Sequence, residues 1–264
     1  MPDADLVTER DLARTYDPPS YADAYDAVQD YRRVLAYHSR HPDKGSSAIA
    51  SALELPRGRV RPWLDGAAPD AVNAIDTARS YGWLGAEYDD PEFRALNTLV
   101  ANVFSGGSIT EQHYQPSFAL AEDSHVTDAL ERAGVEYQLV TDRDGRADEA
   151  RPTDDGTVLG RVLAVLGAPA GPKAGQRLAL PTYLERAPDA VRTQFVGAYL
   201  ANRAVAHQGK ATLTVREDRN RTYLESLAAL CDDVAGGGVA LRERDIVISA
   251  DAARALGFGR VETA

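Results

Sequence analysis

The chain has 264 residues, 44% of them apolar, and a net charge of −11, enough sequence to bury one large core and one small one. No stretch approaches the roughly 18 consecutive apolar residues of a membrane span, and the acidic start Met-Pro-Asp-Ala-Asp is not the basic start of a signal peptide. The single cysteine, Cys231, excludes an internal disulfide and reads as a small apolar residue of a helix beside Leu227 and Leu230. A cytoplasmic protein without a membrane partner is expected.

Residues 1–28 read as an N-terminal extension, and residues 29–84 as a small all-α domain. Between Gln29 and Leu64 lie Arg32, Arg33, Arg40, Lys44, Arg57, Arg59 and Arg61 against Asp30, Asp43 and Glu54. The segment is positive by four inside a strongly negative chain. Such asymmetry is the footprint of a phosphate-backbone contact, and the plain alternative is a solvated helix face. Asp30 to His38 predicts a helix with Tyr31, Val34, Leu35 and His38 on one face. His41-Pro42-Asp43-Lys44-Gly45 breaks it. Ser46 is placed to cap a second helix through Leu53, and after Glu54-Leu55-Pro56 a third helix presents Val60, Trp63 and Leu64 on one side and three arginines on the other. Asp65 to Leu84 closes the domain with Ala71, Val72, Ile75 and Ala78 at helical spacing and Trp83 beneath. Residues 85–92 read as a linker.

From Phe93 the chain repeats itself with a period of about 96 residues. Leu96 to Ser105 and Phe195 to Ala204 are apolar helices. Each is followed by a strand (Tyr114 to Leu120; Lys210 to Arg216) and a helix (Val126 to Ala133; Tyr223 to Val234). A hairpin-like stretch comes next (Gly134 to Val140; Gly238 to Ser249), then a closing helix (Leu159 to Leu166; Ala250 to Leu256). The expected class is α+β, with the order αββαββα occurring twice over residues 93–264. Asp142 to Asp155 reads as a charged loop. Gly236-Gly237-Gly238 precedes a strand, so it reads as a hairpin connection and not a phosphate cradle. The five histidines, His38, His41, His113, His125 and His207, show no metal-ligand spacing with Cys231, and no cofactor is expected.

Two resemblances follow. Ile49, Ala50, Leu53, Leu55, Val60, Trp63 and Leu64 resemble the helix-turn-helix family in the pattern I-A-x-x-L-x-(apolar)-P-x-x-x-V-x-x-W-L, departing at Glu54, where glycine is usual, and at Pro62. The resemblance implies that Arg57, Arg59 and Arg61 reach base edges or phosphates, with Arg40 and Lys44 as flanking contacts. The body resembles the LAGLIDADG homing endonucleases. The signature is Leu159 to Lys173 in the pattern L-x-x-x-L-x-x-x-G-x-P-x-G-x-K, then Leu180-Pro181-Thr182-Tyr183-Leu184 and Ala187-Pro188. That family pairs its two motif helices through small residues, here Ala101 and Ser105 against Gly197 and Ala201. It spreads two sheets over DNA, and a single chain with both copies implies a monomer.

The same family places one acid at the end of each motif helix to hold magnesium. The positions that match are Gly106 and Asn202, with Arg203 beside the second, and no Asp or Glu occurs between Arg94 and Thr110 or between Asp189 and Gln208. The expectation is therefore a non-catalytic scaffold without metal. It would be a sequence-specific double-stranded-DNA-binding protein, a transcription regulator with the parts of the WhiA-type regulators in reversed order, and a partner for transcription machinery. Lys210, Arg216, Arg219 and Arg221 would be secondary phosphate contacts or solvated. An active homing endonuclease or RNA-splicing maturase, and a protein-binding adaptor, are the alternatives. The residue usage, with 26 Asp, 14 Glu, 26 Arg and 3 Lys, is that of a halophilic archaeon, or more plainly of a GC-rich bacterium.

Overall fold

The computed structural model describes residues 6–18, 20–121, 124–141, 147–206 and 211–258. Among them are eleven α-helices and two four-stranded antiparallel sheets, a mixed α+β protein that divides into units 1–85 and 86–264. No described helix is long and apolar enough to cross a membrane.

The first unit is helical: α1 (Glu9–Ala13), α2 (Ala24–Arg40), α3 (Ser46–Leu53), α4 (Arg57–Leu64) and α5 (Asp70–Ser80). The segment expected to be an extension is part of this unit. Val7, Leu12 and Ala13 are buried, Thr8 caps α1 through the Asp11 amide, and Asp23 caps α2 through the Tyr25 amide. Ion pairs tie it down further, from Arg10 and Arg14 to Asp23 and from Arg32 and Arg79 to Glu9. The Arg32 guanidinium lowers the Glu9 carboxyl below its ordinary range.

A compact core forms where α2, α3 and α4 meet. Val34, Ile49 and Val60 are fully buried, Ala50 and Trp63 nearly so, and Tyr31 meets the Trp63 ring edge-on at 5.7 Å. The methyl of Ala50 is what allows close helix contact there. Gly45, not Ser46, occupies the cap position of α3. Glu54 ends α3 with φ 57°, a left-handed conformation that favours glycine. The following helix runs through Pro62 and stops at Asp65. Trp83 is fully buried and stacks on Tyr81 at 4.5 Å.

The second unit begins at Ala86, itself buried, so only residues up to Asp90 remain of the expected linker before α6 (Pro91–Ser105). It continues with β1 (Ser108–Ile109), β2 (Pro116–Ala119), α7 (Val126–Arg132), β3 (Tyr137–Val140), β4 (Glu149–Pro152) and α8 (Gly156–Val165). A 3-10 turn (Thr182–Glu185) leads to α9 (Asp189–Arg203), β5 (Ala204–Ala206), β6 (Leu213–Arg216), α10 (Arg221–Ala235), β7 (Val239–Arg242), β8 (Asp245–Ile248) and α11 (Ala250–Ala255). Helix–strand–strand–helix–strand–strand–helix thus occurs twice. The sheets have matching strand orders, β1-β2-β4-β3 and β5-β6-β8-β7.

A further expectation fails in this unit. The stretch 142–155 is not all loop, because β4 lies within it and pairs with both β2 and β3. Glu149 and Arg151 alternate with the buried Ala150 and Pro152, so a half-buried strand has charged residues at every other position. Residues 142–146 of that stretch lie outside the described residues.

Candidate nucleic-acid interface

The first unit sorts its cations by what faces them. Arg32 is bonded to Glu9 at 2.7 Å and Arg33 to Asp30 at 2.8 Å, so two charges of the basic segment are neutralised. Arg59 lies 4.3 Å from the centroid of the Tyr21 ring, a cation–π contact that holds it half-buried. Tyr21 donates its hydroxyl to Asp30, and burial pushes its phenol up to about 12. Arg40, Lys44, Arg57 and Arg61 remain on the exposed surface.

These four are arranged by α2–α4. Arg57 is the first residue of α4 and Arg61 stands one turn on, so the two lie on one side of the helix, both exposed. Lys44 donates to the Tyr37 hydroxyl at 3.1 Å and sits over its ring, which leaves its charge outward. Lys44 and Arg61 border one shallow cavity with His38 and Ser46. Arg40 donates only to the Ala36 carbonyl. Two acids lie by this group: Asp43, which borders the same cavity, and Asp65, 3.6 Å from Arg61 with both side chains about 70% exposed, a pair too solvated to quench the charge. The arrangement supplies exposed cations on one small helical unit, which suits an anionic polymer.

The second unit is different. Arg216 forms a two-pronged bond to Asp245, with both distances 3.0 Å. Arg221 is paired with Glu225 at 2.8 Å, and Arg219 approaches Glu217 at 3.6 Å. Each of these expected secondary contacts faces a carboxylate, and Lys210 lies outside the described residues, as does His207. On the outward face of the first sheet Arg151 is likewise paired with Glu149.

At the centre of the second unit α6 packs along α9. Asn97 donates to the Val191 carbonyl and to Gln194, and Gln194 donates to Thr98. At the C-terminal ends Asn202 donates to the Ser105 hydroxyl at 3.0 Å. A Cβ on Gly106 would lie 3.7 Å from the Cβ of Asn202. The structure therefore brings together the two positions singled out from the sequence, and the pair offers a hydrogen atom and an amide. A divalent ion does not fit this donor set: magnesium is held through carboxylates, the Asn202 amide nitrogen is turned inward as a donor, and Arg203 stands next to it.

The cation at this end is the protein's own. Lys173 donates its ammonium to the carbonyls of Val103 at 2.6 Å and Gly107 at 2.8 Å, capping α6 where its C-terminal carbonyls gather negative potential. Burial lowers this lysine to about 8, and the nearby Arg219 and Arg203 push the same way. The balancing acid is Glu217, which is almost fully buried, lies 3.0 Å from Arg203, and accepts from the Tyr199 hydroxyl at 2.8 Å. Glu217 was not singled out from the sequence. Its signal was the inward alternation Leu213, Val215, Glu217, which sets an acid at a core-facing position.

Compared with family models and with curated proteins, the chain matches none.

Proposed function

We propose that this chain is a sequence-specific double-stranded-DNA-binding protein, a transcription regulator, whose reading head is the pair α3–α4 and whose body is a non-catalytic relative of the LAGLIDADG homing endonucleases. The observation that carries the reading is the exposed quartet Arg40, Lys44, Arg57 and Arg61, carried by α2, the loop after it and α4, in a chain of net charge −11. Two short helices joined by a three-residue turn, with the second one's first residue an exposed arginine, suit insertion into a major groove. Arginine there meets guanine in two-pronged fashion or grips phosphate. Arg59, stacked on Tyr21, is a positioning residue in this reading and not a contact.

Support for the body comes from the twice-repeated element order and from the adjacency of Gly106 and Asn202. A scaffold whose central helix ends carry an internal lysine in place of paired acids keeps its shape without a cutting centre. Selecting bound duplexes from a random-sequence pool in molar potassium chloride tests the proposal. A recovered consensus that disappears with Arg57→Ala/Arg61→Ala supports it, and a pool without consensus refutes sequence-specific binding.

A second reading, a protein-binding adaptor, is favoured by one observation. Arg216, Arg219 and Arg221 each face a carboxylate, while Val205, 58% exposed, shares the outward face of the second sheet with Thr214, Val247 and Ala240. Transcription machinery is the partner class such a face would serve in a DNA-bound regulator.

A further inference from the structure

The two repeats treat the N-termini of their second helices differently. At α10 the cap residue Asn220 clamps the Leu178 backbone with two hydrogen bonds, 2.8 Å from the Leu178 amide and 3.1 Å to its carbonyl, and Leu178 is buried. At α7 the cap position holds His125 in a left-handed conformation, φ 50°, with its side chain 74% exposed. Left-handed backbone on a residue other than glycine is strain that the surrounding fold must hold in place. His125 borders a cavity of about 480 Å³, within the size range of small-molecule sites.

The floor of this cavity is the packed pair α6–α9, where Gly197 opens it: a Cβ there would meet nothing within 4 Å. The far wall is Leu256 to Phe258, fixed by the bond from the Phe258 amide to the Ala253 carbonyl at 2.8 Å. The near wall is α7, which directs Asp128 and Arg132 into the space. These stand four residues apart, the spacing at which Arg221 and Glu225 close an ion pair in α10. Among the described residues Arg132 closes none, and Asp128 lies 3.8 Å from His125 and within electrostatic reach of Tyr137. One cavity thus carries a separated cation and anion beside an apolar wall.

We propose that this cavity binds a free α-amino acid with a large apolar side chain. Arg132 and His125 face its carboxylate, Asp128 its ammonium, and the side chain lies between Gly197 and Phe258. Neighbouring charges of opposite sign favour a zwitterion, because a ligand lacking either charge makes one charge-assisted contact fewer. This site stands independently of the DNA-binding reading, since its test needs no DNA.

The experiment is thermal unfolding of the full chain with L-leucine and L-phenylalanine, against 3-methylbutylamine and 4-methylpentanoate, which each lack one charged group. At a ligand concentration about ten times Kd, either amino acid is expected to raise Tm by roughly 2–6 °C. Arg132→Gln should weaken binding at least tenfold by titration calorimetry. Gly197→Leu, whose Cβ has open space and whose branch extends into the cavity's floor, should abolish the shift. No shift with either amino acid, an equal shift with the amine or the acid, or a shift that survives Gly197→Leu would overturn the proposal.

Discussion

The amide nitrogen of Asn202 donates to the hydroxyl of Ser105 at 3.0 Å, joining the C-terminal ends of the two central helices through neutral groups. Beside it, Gly106 fits because it has no side chain. A Cβ there would stand 2.7 Å from the Cβ of Ala119, closer than carbon atoms tolerate. Gly106→Ala is therefore expected to destabilise the chain by roughly 1–3 kcal/mol through overpacking. Gly106→Ala/Ala119→Gly should recover most of that loss in urea unfolding. No recovery would show that the contact with Ala119 is not the cause. An aspartate at 106 meets the same obstacle, so paired acids cannot be regained there without remodelling β2.

Lys173 predicts a pH dependence. Its folded-state pKa, about 8, lies below its ordinary 10.5, so between these values the unfolded chain binds more protons than the folded one. Stability from this group therefore rises with pH across that window, by at most about 3 kcal/mol. Lys173→Met removes the rise and, near neutral pH, leaves the carbonyls of Val103 and Gly107 unpaired, at a cost of roughly 1–3 kcal/mol. Burial pushes the Cys231 thiol up to about 12, which opposes the lysine's trend in both proteins. The informative quantity is the difference between wild type and variant, followed by circular dichroism from pH 7 to 10.5. A constant difference would contradict the assignment.

Glu54 holds φ 57° at the end of α3. Glu54→Gly relieves a left-handed backbone and is expected to stabilise the first unit by about 1 kcal/mol, less the entropy glycine loses on folding. Both tryptophans of the chain, Trp63 and Trp83, lie in this unit, so tryptophan fluorescence follows its unfolding alone. A lowered midpoint would mean that the Glu54 side chain contributes more than its backbone costs.

Arg59 and Tyr21 give a contrast with the exposed arginines. Removing the stacked guanidinium with Arg59→Ala should lower the tryptophan-monitored midpoint by an amount corresponding to about 1 kcal/mol. Arg57→Ala, on an exposed side chain, should leave it within about 0.5 kcal/mol. Equal effects would remove the distinction between a positioning and a contacting arginine.

Much of this organisation is legible in the sequence because its signals are local. The glycine and proline breaks at 41–45 and 54–56 delimit α3, and Val60, Trp63 and Leu64 sit at helical spacing. The repeated helix–strand–strand order shows as apolar periodicity. What escaped has its cause at a distance or in composition. Arg32 looks available until Glu9, 23 residues upstream, is folded against α2. The central strand β4 carries two apolar residues in four, one of them proline, inside a charged run. The quenching of Arg216 by Asp245 depends on the pairing of β6 with β8, which no local pattern encodes.

In the proposed DNA-bound state Arg57 and Arg61 of α4 carry phosphate and base contacts. Fluorescence anisotropy of a labelled duplex of the selected sequence, titrated with wild type and with Arg57→Ala/Arg61→Ala over a potassium chloride series, tests it directly. Wild-type affinity should fall linearly on a log–log plot of salt. The double variant should bind at least about tenfold more weakly with a slope shallower by about 2. Identical affinities and slopes for the two proteins would contradict the account.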